Sequence, residues 1–505
     1  MEKTKIVDTK DGRIQGYIEQ GIKIFKGIPY SSPPIGDLRF KPPIPPKKWS
    51  EVRYTTEFSP ICPQPSYVDK SGKAIKMKQI HEQDETNCLT LNIWTPEFDN
   101  ERRPVMFWIH GGGFEGGSSA EESYSGLTLS LRGNVVVVTI NYRLGPLGYF
   151  YIPGKTANVG QLDQIAALQW VRDNIQLFGG DPNNVTIFGE SAGGTAVITL
   201  LAMPDAKGLY HRAISQSAYS FNLTDHKEGS DNFSSMLKIN PGDIHSLQKV
   251  PIDEIKKTHI SFIGENKKKG MDNPFSPVVD GKTLIENPLN ALQNGIAKDI
   301  PLLIGTTRDE MKYMEEKLGT YISEITSEEL LKRIKFYLKD EQLAKNLINM
   351  YIKEREGILP NEPMDILGAF QTDFYFRILS IRVAEAKSRH QKNTYMYLFS
   401  WPSPWMNGKL GACHALEIPF VFGNLDKPGM DVFCGKGKDA ETLSERMMDT
   451  WIAFAHSGDP NNKNIPEWSS YDSVNRSTMI LDKEFKIVDD PFGKEREAWE
   501  RFRFR

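Results

Sequence analysis

Residues 189–193 of this chain read Gly-Glu-Ser-Ala-Gly, a G-x-S-x-G pentapeptide. An apolar run at 185–188 precedes it, and helix-forming residues at 196–201 follow it. A strand that turns into a helix between two glycines makes a tight turn, from which Ser191 must project. The pattern therefore predicts an α/β sheet with Ser191 exposed at the carboxyl end of a strand, beside the positive end of a helix dipole.

A second glycine motif supports this interpretation. The pentapeptide alone is weak, because G-x-S-x-G arises by chance in roughly one chain in five of this length. Residues 110–113 read His-Gly-Gly-Gly and directly follow an apolar run at 104–109. A flexible glycine loop is the alternative, but this loop type is the known partner of the serine turn. We predict that the N–H groups of Gly112, Gly113 and Ala192 form an oxyanion hole.

A serine hydroxyl needs a histidine base and an acid that orients this base. Of the nine histidines, His414 stands out, because it lies among small residues in a loop after the strand-like run 394–399. The acid is expected between the serine and the histidine in chain order. The apolar run 301–305 ends close to Asp309 and Glu310. The pattern does not choose between these two carboxylates.

Further segments carry a resemblance that covers nearly the whole chain. They lie at 9–16, 25–30, 34–40, 91–94, 141–145, 162–164, 170–175 and 178–182. Together with the two glycine motifs, they identify a chain that resembles the type-B carboxylesterase/lipase family, which includes the cholinesterases. Within this family, the chain is most similar to the bacterial para-nitrobenzyl esterases.

The resemblance implies an α/β-hydrolase fold across residues 1–505 as a single domain. This fold has a large, mostly parallel central sheet flanked by helices, with long helical excursions over the active site. The sequence agrees, since strands and helices alternate from about 105 to 217 and the valine-rich run 135–140 is typical of a central parallel strand. The segments 227–294 and 311–389 are mostly helical and polar, and we expect them to roof the site.

The resemblance also implies a serine carboxylesterase with the catalytic triad Ser191, His414 and Glu310, so that Glu310 is the acid. By the same resemblance, two side chains that follow this glutamate line the substrate pocket, and one side chain borders the oxyanion loop. Each of the three is equally compatible with a plain core residue. They are Tyr313, Met314 and Phe114.

Two structural ion pairs are implied as well. One joins Arg143 to Asp163, and both residues are present. The family partner of Arg39 is replaced here, because the chain reads Thr-Asn where family members carry Glu-Asp before Cys88. The neighbouring Glu85 is the candidate replacement.

Composition limits the function classes. The chain has 505 residues, 39% of them hydrophobic and 10% aromatic, which is ample for a sizeable core. A net charge of -3 argues against nucleic acid or an anionic membrane surface as a partner. Apolar stretches fall short of the roughly 18 residues that a transmembrane helix needs, and no spacing indicates a metal site. We expect a monomeric enzyme that needs no cofactor and acts on a small-molecule ester.

Four cysteines and the absence of a hydrophobic signal core after Met1 predict a cytoplasmic protein. By resemblance, Cys62 and Cys88 match the pair that forms a disulfide in secreted relatives, whereas in a reducing cytosol we expect thiols. The segment between them is polar and rich in lysine, and we expect it to form a mobile rim of the site.

A second function class is a catalytically silent adhesion or scaffold protein, since the family includes such members. Those members have lost a triad residue, whereas all three residues are present here. For the enzyme, we expect short-to-medium acyl esters of apolar or aromatic alcohols as substrates. A lipase is the alternative, but the sequence carries no amphipathic lid signal.

Overall fold

The structure is a computed structural model that describes residues 1–65, 81–219, 226–269, 274–317, 325–500 and Phe502. Its strands are β1 (Glu2–Lys3), β2 (Val7–Asp8), β3 (Arg13–Gln15), β4 (Tyr17–Glu19), β5 (Ile22–Pro29), β6 (Arg53–Tyr54), β7 (Thr90–Thr95), β8 (Arg103–Ile109), β9 (Val136–Ile140), β10 (Gly180–Glu190), β11 (Arg212–Gln216), β12 (Leu302–Thr307), β13 (Thr394–Phe399), β14 (Ser477–Leu481) and β15 (Lys486–Asp489).

The helices are α1 (Leu127–Gly133), α2 (Gly145–Tyr149), α3 (Val159–Asn174), α4 (Ala192–Ala202), α5 (His226–Met236), α6 (Ile244–Gln248), α7 (Ile252–Lys269), α8 (Pro288–Gln293), α9 (Glu310–Lys317), α10 (Ser327–Leu338), α11 (Glu341–Arg355), α12 (Pro363–Thr372), α13 (Ile378–Ser388), α14 (Ile418–Phe422), α15 (Met430–Phe433), α16 (Lys438–Ser457) and α17 (Gly493–Ala498). A π-helical turn, Asp373–Arg377, joins α12 to α13. Among the described residues, no helix is long and apolar enough to cross a membrane.

Twelve of the described strands form one sheet in the order β1-β4-β5-β7-β9-β8-β10-β11-β12-β13-β14-β15. From β9 to β14 every neighbouring pair is parallel, and the outer strands pair antiparallel. All residues of β8, β9, β12 and β13 are buried, as expected for parallel strands that are covered on both faces. The predicted large, mostly parallel sheet flanked by helices is confirmed.

Each face of the sheet packs against its own hydrophobic core. Because successive side chains of a strand point to opposite faces, β8 divides its residues between the two cores. Val105, Phe107 and Ile109 belong to one core, and Met106 and Trp108 belong to the other. This explains why the predicted run at 104–109 is apolar throughout rather than alternating.

The helical excursions are confirmed within the described residues: α5 to α8 lie in the first predicted segment and α9 to α13 in the second. The predicted mobile rim falls mostly on residues 66–80, which lie outside the described residues. At either end of this segment, Cys62 and Cys88 are buried as thiols.

The two implied ion pairs are present. Arg143 donates two hydrogen bonds to the buried carboxylate of Asp163, at 2.8 Å and 2.6 Å. Arg39 likewise donates two hydrogen bonds to the carboxylate of Glu85, at 3.1 Å and 2.5 Å. Glu85 therefore takes the place of the missing glutamate, because a carboxylate one or two residues away in a loop reaches the same guanidinium.

Candidate active site

Ser191 lies at the turn between β10 and α4 and has a strained backbone. Its φ of 57° and ψ of −122° fall in a region that residues with a side chain rarely adopt. Such strain costs on the order of 1–3 kcal/mol and persists where the surroundings enforce it. Here the N–H of Ser191 donates to Gln216 O at 2.9 Å, which fixes the turn to β11. The predicted strand–turn–helix geometry is confirmed.

The two glycines of the pentapeptide are required by close packing against β8. A Cβ atom on Gly189 would lie 2.6 Å from Ile109 O, and one on Gly193 would overlap the same oxygen. Contacts this close exclude any side chain at either position. The sheet edge is covered, so Ser191 is only 6% exposed. The prediction of an exposed serine is therefore wrong, because the glycine loop packs against the turn that carries it.

The glycine loop lies directly against this turn. A Cβ atom on Gly111 would lie 3.0 Å from Ser191 Cβ. Gly112 and Gly113 have φ angles of 112° and 66° and retain accessible surface, and a side chain on Gly112 would overlap Gly116 O. The loop thus brings side-chain-free backbone next to the serine, as the sequence predicted.

His110 stabilises the glycine loop through its ring and its backbone. Its ring stacks on Tyr142, with centroids 4.5 Å apart, and its Nδ1 lies 2.8 Å from Gly111 O. The Tyr142 hydroxyl donates to His110 O at 2.8 Å. His110 is therefore a structural residue of the loop.

Ala192 is the first residue of α4. The N–H groups in the first turn of a helix have no acceptor within the helix, and they carry the positive end of its dipole. The N–H of Ala192 therefore belongs to a set of donors suited to an anion beside Ser191.

His414 is paired with Glu310. Its Nδ1 lies 2.6 Å from Glu310 Oε2, and both side chains are buried. The other carboxylate oxygen of Glu310 accepts the N–H of Thr307 at 2.7 Å. This backbone bond fixes the carboxylate, so that Glu310 faces the imidazole in one orientation.

Asp309, the alternative acid, faces a different partner. Its Oδ2 accepts the N–H of Ala412 at 2.9 Å and lies 3.0 Å from Arg308 Nε. Burial by itself would raise the pKa of Asp309, but Arg308 and Lys312 outweigh it and hold this pKa below its ordinary value. Asp309 is thus ionised and directed at the backbone of the histidine loop, whereas Glu310 holds the imidazole.

Two residues beside His414 were not singled out from the sequence. Glu190 Oε1 lies 3.0 Å from His414 Nε2, and the ring of Phe376 lies 4.9 Å from the imidazole. The position of Glu190 within the pentapeptide was a usable signal, since its neighbour is the serine. Phe376 gave none, because its orientation depends on the π-helical turn.

The described residues show no hydrogen bond between Ser191 Oγ and His414 Nε2. His414 Nε2 instead lies within ion-pair distance of Glu190, although without hydrogen-bond alignment.

A third glutamate, Glu417, is buried three residues after His414 in the chain. It accepts a hydrogen bond from Gln216 Nε2 at 3.1 Å, and Gln216 Oε1 accepts one from Trp451 at 3.0 Å. Burial, with added repulsion from Glu190 and Glu310, raises the pKa of Glu417 to about 8. Glu417 is therefore largely protonated at neutral pH and was also missed from the sequence.

The three residues predicted to line or border the substrate pocket differ in their burial. Phe114 is fully buried and packs against Tyr149 and Tyr219, with ring centroids 4.9 Å and 6.1 Å away. Tyr313 is half-buried, and Met314 lies in α9 with its side chain outside the described part of the chain. A pocket role for the three residues stays a prediction. Among the described residues, no group of three potential metal ligands occurs.

Similar proteins share this architecture over nearly the full chain. Para-nitrobenzyl esterase of Bacillus subtilis (strain 168) is 39% identical over 499 residues, which cover 98% of each chain. Phenmedipham hydrolase of Pseudarthrobacter oxydans is 32% identical and covers 95% of each chain.

Solved structures agree with these sequence relatives. A thermophilic PNB esterase has a TM-score of 0.86 at 37% identity, covering 98% of this chain and 99% of its own. A carboxylesterase of Geobacillus stearothermophilus has a TM-score of 0.86 at 36% identity, covering 98% and 100%. The model of the carboxylesterase family matches residues 3–499. This chain therefore belongs to the carboxylesterase family.

Proposed function

We propose that the protein is a serine carboxylesterase that hydrolyses carboxylic esters through an acyl-enzyme. The observation that carries the proposal is the 2.6 Å pairing of His414 with Glu310, at the sheet edge where the strained turn presents Ser191. A nucleophile, an oriented base and a loop of backbone donors are what acyl transfer requires.

In this mechanism, Ser191 Oγ attacks the ester carbonyl carbon and gives its proton to His414 Nε2. Glu310 accepts the Nδ1–H hydrogen bond, keeps the imidazole in the required tautomer and stabilises the imidazolium. His414 then donates the proton to the leaving alcohol as the carbon–oxygen bond breaks. Water repeats the sequence on the acyl-enzyme, releasing the acid and restoring Ser191.

The oxyanion of both tetrahedral intermediates is assigned to the N–H groups of Gly112, Gly113 and Ala192. Support comes from the contact of the glycine loop with Ser191 and from the position of Ala192 as the first residue of α4, where an N–H lacks an acceptor within the helix. Loss of one such donor typically costs about 10²- to 10³-fold in kcat.

The substrate class follows from the relatives and the apolar surroundings. The name of the Bacillus subtilis relative refers to a para-nitrobenzyl ester, which is an ester of an aromatic alcohol. The ring of Phe376 lies 4.9 Å from that of His414, so an aromatic side chain flanks the base. We propose small-molecule esters of apolar or aromatic alcohols as substrates.

The test is the variant Ser191→Ala, assayed with a para-nitrobenzyl ester. The turn needs a small residue but not a hydroxyl, so the variant is expected to fold while its kcat falls on the order of 10⁴-fold. A reactive organophosphate should add covalently to Ser191 of the parent protein, as read by mass spectrometry. A folded variant with more than about a hundredth of the activity contradicts the proposal, and a parent without adduct or hydrolysis indicates the scaffold class.

A further inference from the structure

We propose that Asp309 is a positioning residue, which holds the loop carrying His414 at the working distance from Glu310. The inference rests on the proposed function, since it concerns how the base and the acid of that mechanism are kept together. It gives the second carboxylate, for which the sequence left only the choice of triad acid or loop charge, a role of its own.

Two hydrogen bonds of opposite direction join Asp309 to Ala412. The N–H of Asp309 donates to Ala412 O at 2.8 Å, and Asp309 Oδ2 accepts the N–H of Ala412 at 2.9 Å. Glu310 directly follows Asp309, and His414 follows two residues after Ala412. The double link therefore ties the segment of the acid to the segment of the base.

The carboxylate also contacts the preceding loop residue. Gly411 has a φ of 57°, and a Cβ atom there would overlap Asp309 Oδ2. The side chain of Asp309 thus lies flat against the loop backbone at two successive residues. Such a close approach is possible only because position 411 has no side chain.

Two cationic side chains keep the carboxylate of Asp309 ionised. Arg308 places Nε and Nη2 at 3.0 Å and 2.9 Å from Asp309 Oδ2, and Lys312 Nζ lies 3.8 Å from Oδ1. Lys312 is itself fixed by Asp365 of α12 at 2.9 Å. An ionised carboxylate only accepts hydrogen bonds, and charge-assisted bonds are about twice as strong as neutral ones.

The loop that carries His414 contains little regular structure that could hold it in place. Between the end of β13 at Phe399 and the start of α14 at Ile418, its only regular element is the short turn Trp405–Gly408. A second bond, from the N–H of Ser403 to Gly411 O at 2.8 Å, holds the other side of the loop. Catalytic groups must stay within about 0.5 Å of their working geometry, so an untethered loop would lower turnover.

The test compares Asp309→Ala with Asp309→Asn. Alanine removes the acceptor, and we expect kcat to fall about 10- to 100-fold with KM changed less than about threefold, since a displacement near 1 Å can cost about 10²-fold. Asparagine keeps a carbonyl oxygen for the N–H of Ala412, and we expect kcat within about fivefold of the parent. This rescue by asparagine is the first diagnostic result.

The split between kcat and KM is the second diagnostic result. A displaced base slows the chemical step and leaves substrate binding in place, so Asp309→Ala should lower kcat with KM close to that of the parent. The control Val7→Ala removes a buried methyl pair from the small sheet β2-β3-β6, and it is expected to lower stability without lowering kcat.

The possible failures are distinct. If Asp309→Ala loses no more kcat than a control of equal thermal stability, Asp309 has no positioning role. If Asp309→Asn is as impaired as Asp309→Ala, acceptance of the Ala412 N–H does not hold the loop in place, which also overturns the proposal. If His414→Ala or Ser191→Ala retains turnover, the proposed function itself fails.

Discussion

At the scale of single residues, neighbours decide what each carboxylate does. Asp309 and Glu310 are adjacent in sequence, yet one binds the backbone of the histidine loop and the other binds the imidazole. This choice could not be predicted from the pattern of residues, because both follow the same strand. The choice depends on the direction of each side chain at the start of α9. Glu310 accepts the N–H of Thr307, whereas Asp309 accepts the N–H of Ala412.

The first prediction separates the two carboxylates by their effect on turnover. Glu310→Gln is expected to lower kcat by about 10³-fold or more, because an amide cannot stabilise the imidazolium. Asp309→Asn is expected to lower it less than about fivefold. Steady-state kinetics on the two purified variants give the comparison, and equal losses or the reverse order would move the triad acid to Asp309.

The second prediction concerns the pH dependence of stability. The pKa of Glu417 rises from its ordinary value of 4.5 to about 8 in the folded protein. Between these values the folded state holds a proton that the unfolded chain releases. The free energy of unfolding therefore falls as pH rises through this window, by up to about 1.4 kcal/mol per pH unit.

Glu417→Gln removes this titration and keeps the oxygen that accepts from Gln216. Denaturant unfolding from about pH 5 to about pH 8.5 should show the variant gaining stability relative to the parent as pH rises. The exposed Glu484→Gln serves as the matched control and should follow the parent. A constant difference between Glu417→Gln and the parent across this range would show that Glu417 stays ionised in the fold.

At the scale of elements, several central strands follow from hydrophobic pattern. The predicted apolar runs at 301–305 and 394–399 correspond to β12 and β13, and the valine-rich run at 135–140 corresponds to β9. The π-helical turn Asp373–Arg377 was not predictable, because its widened backbone reflects tertiary partners. It places Phe376 on His414.

Buried ion pairs hold this π-helical turn. Arg377 donates to Asp373 at 2.5 Å and 2.9 Å, and it lies 3.6 Å from Glu495 of α17. Glu495 also binds Arg355 of α11 at 2.8 Å. Glu495 is thus linked through Arg377 to the turn that carries Phe376, and through Arg355 to α11.

The third prediction follows from this cluster. Glu495→Gln leaves the buried Arg355 guanidinium without its charge partner and removes a second carboxylate from Arg377, so the free energy of unfolding should fall by about 3 kcal/mol or more. Denaturant titration measures the loss. The control Glu497→Gln, on the same helix and with a side chain 46% exposed, should change stability by less than about 1 kcal/mol. Equal effects of the two substitutions would mean that the cluster contributes no more than a surface pair.

At the scale of the whole molecule, the fold was predictable because its motifs lie at fixed points of one architecture. The pairing of Arg39 with Glu85 followed from that architecture despite a changed local sequence. The contacts around His414 did not, since Glu190, Phe376 and Glu417 come from three separate elements. Sequence spacing carries no information on such convergence until the order of strands in the sheet is known.

The last prediction concerns the substrate. Each methylene group buried in an apolar pocket adds up to about 0.8 kcal/mol, or about fourfold in kcat/KM, until the pocket is full. A series of para-nitrophenyl esters with growing acyl chains should therefore show kcat/KM that climbs, peaks at short-to-medium length and then falls, with Ser191→Ala as the background control. A lipase needs an apolar surface to meet an oil droplet, whereas the segment between Cys62 and Cys88 carries four lysines, Lys70, Lys73, Lys76 and Lys78. The rate should accordingly level off as substrate passes its solubility limit, and a sharp rise at that limit would identify a lipase instead.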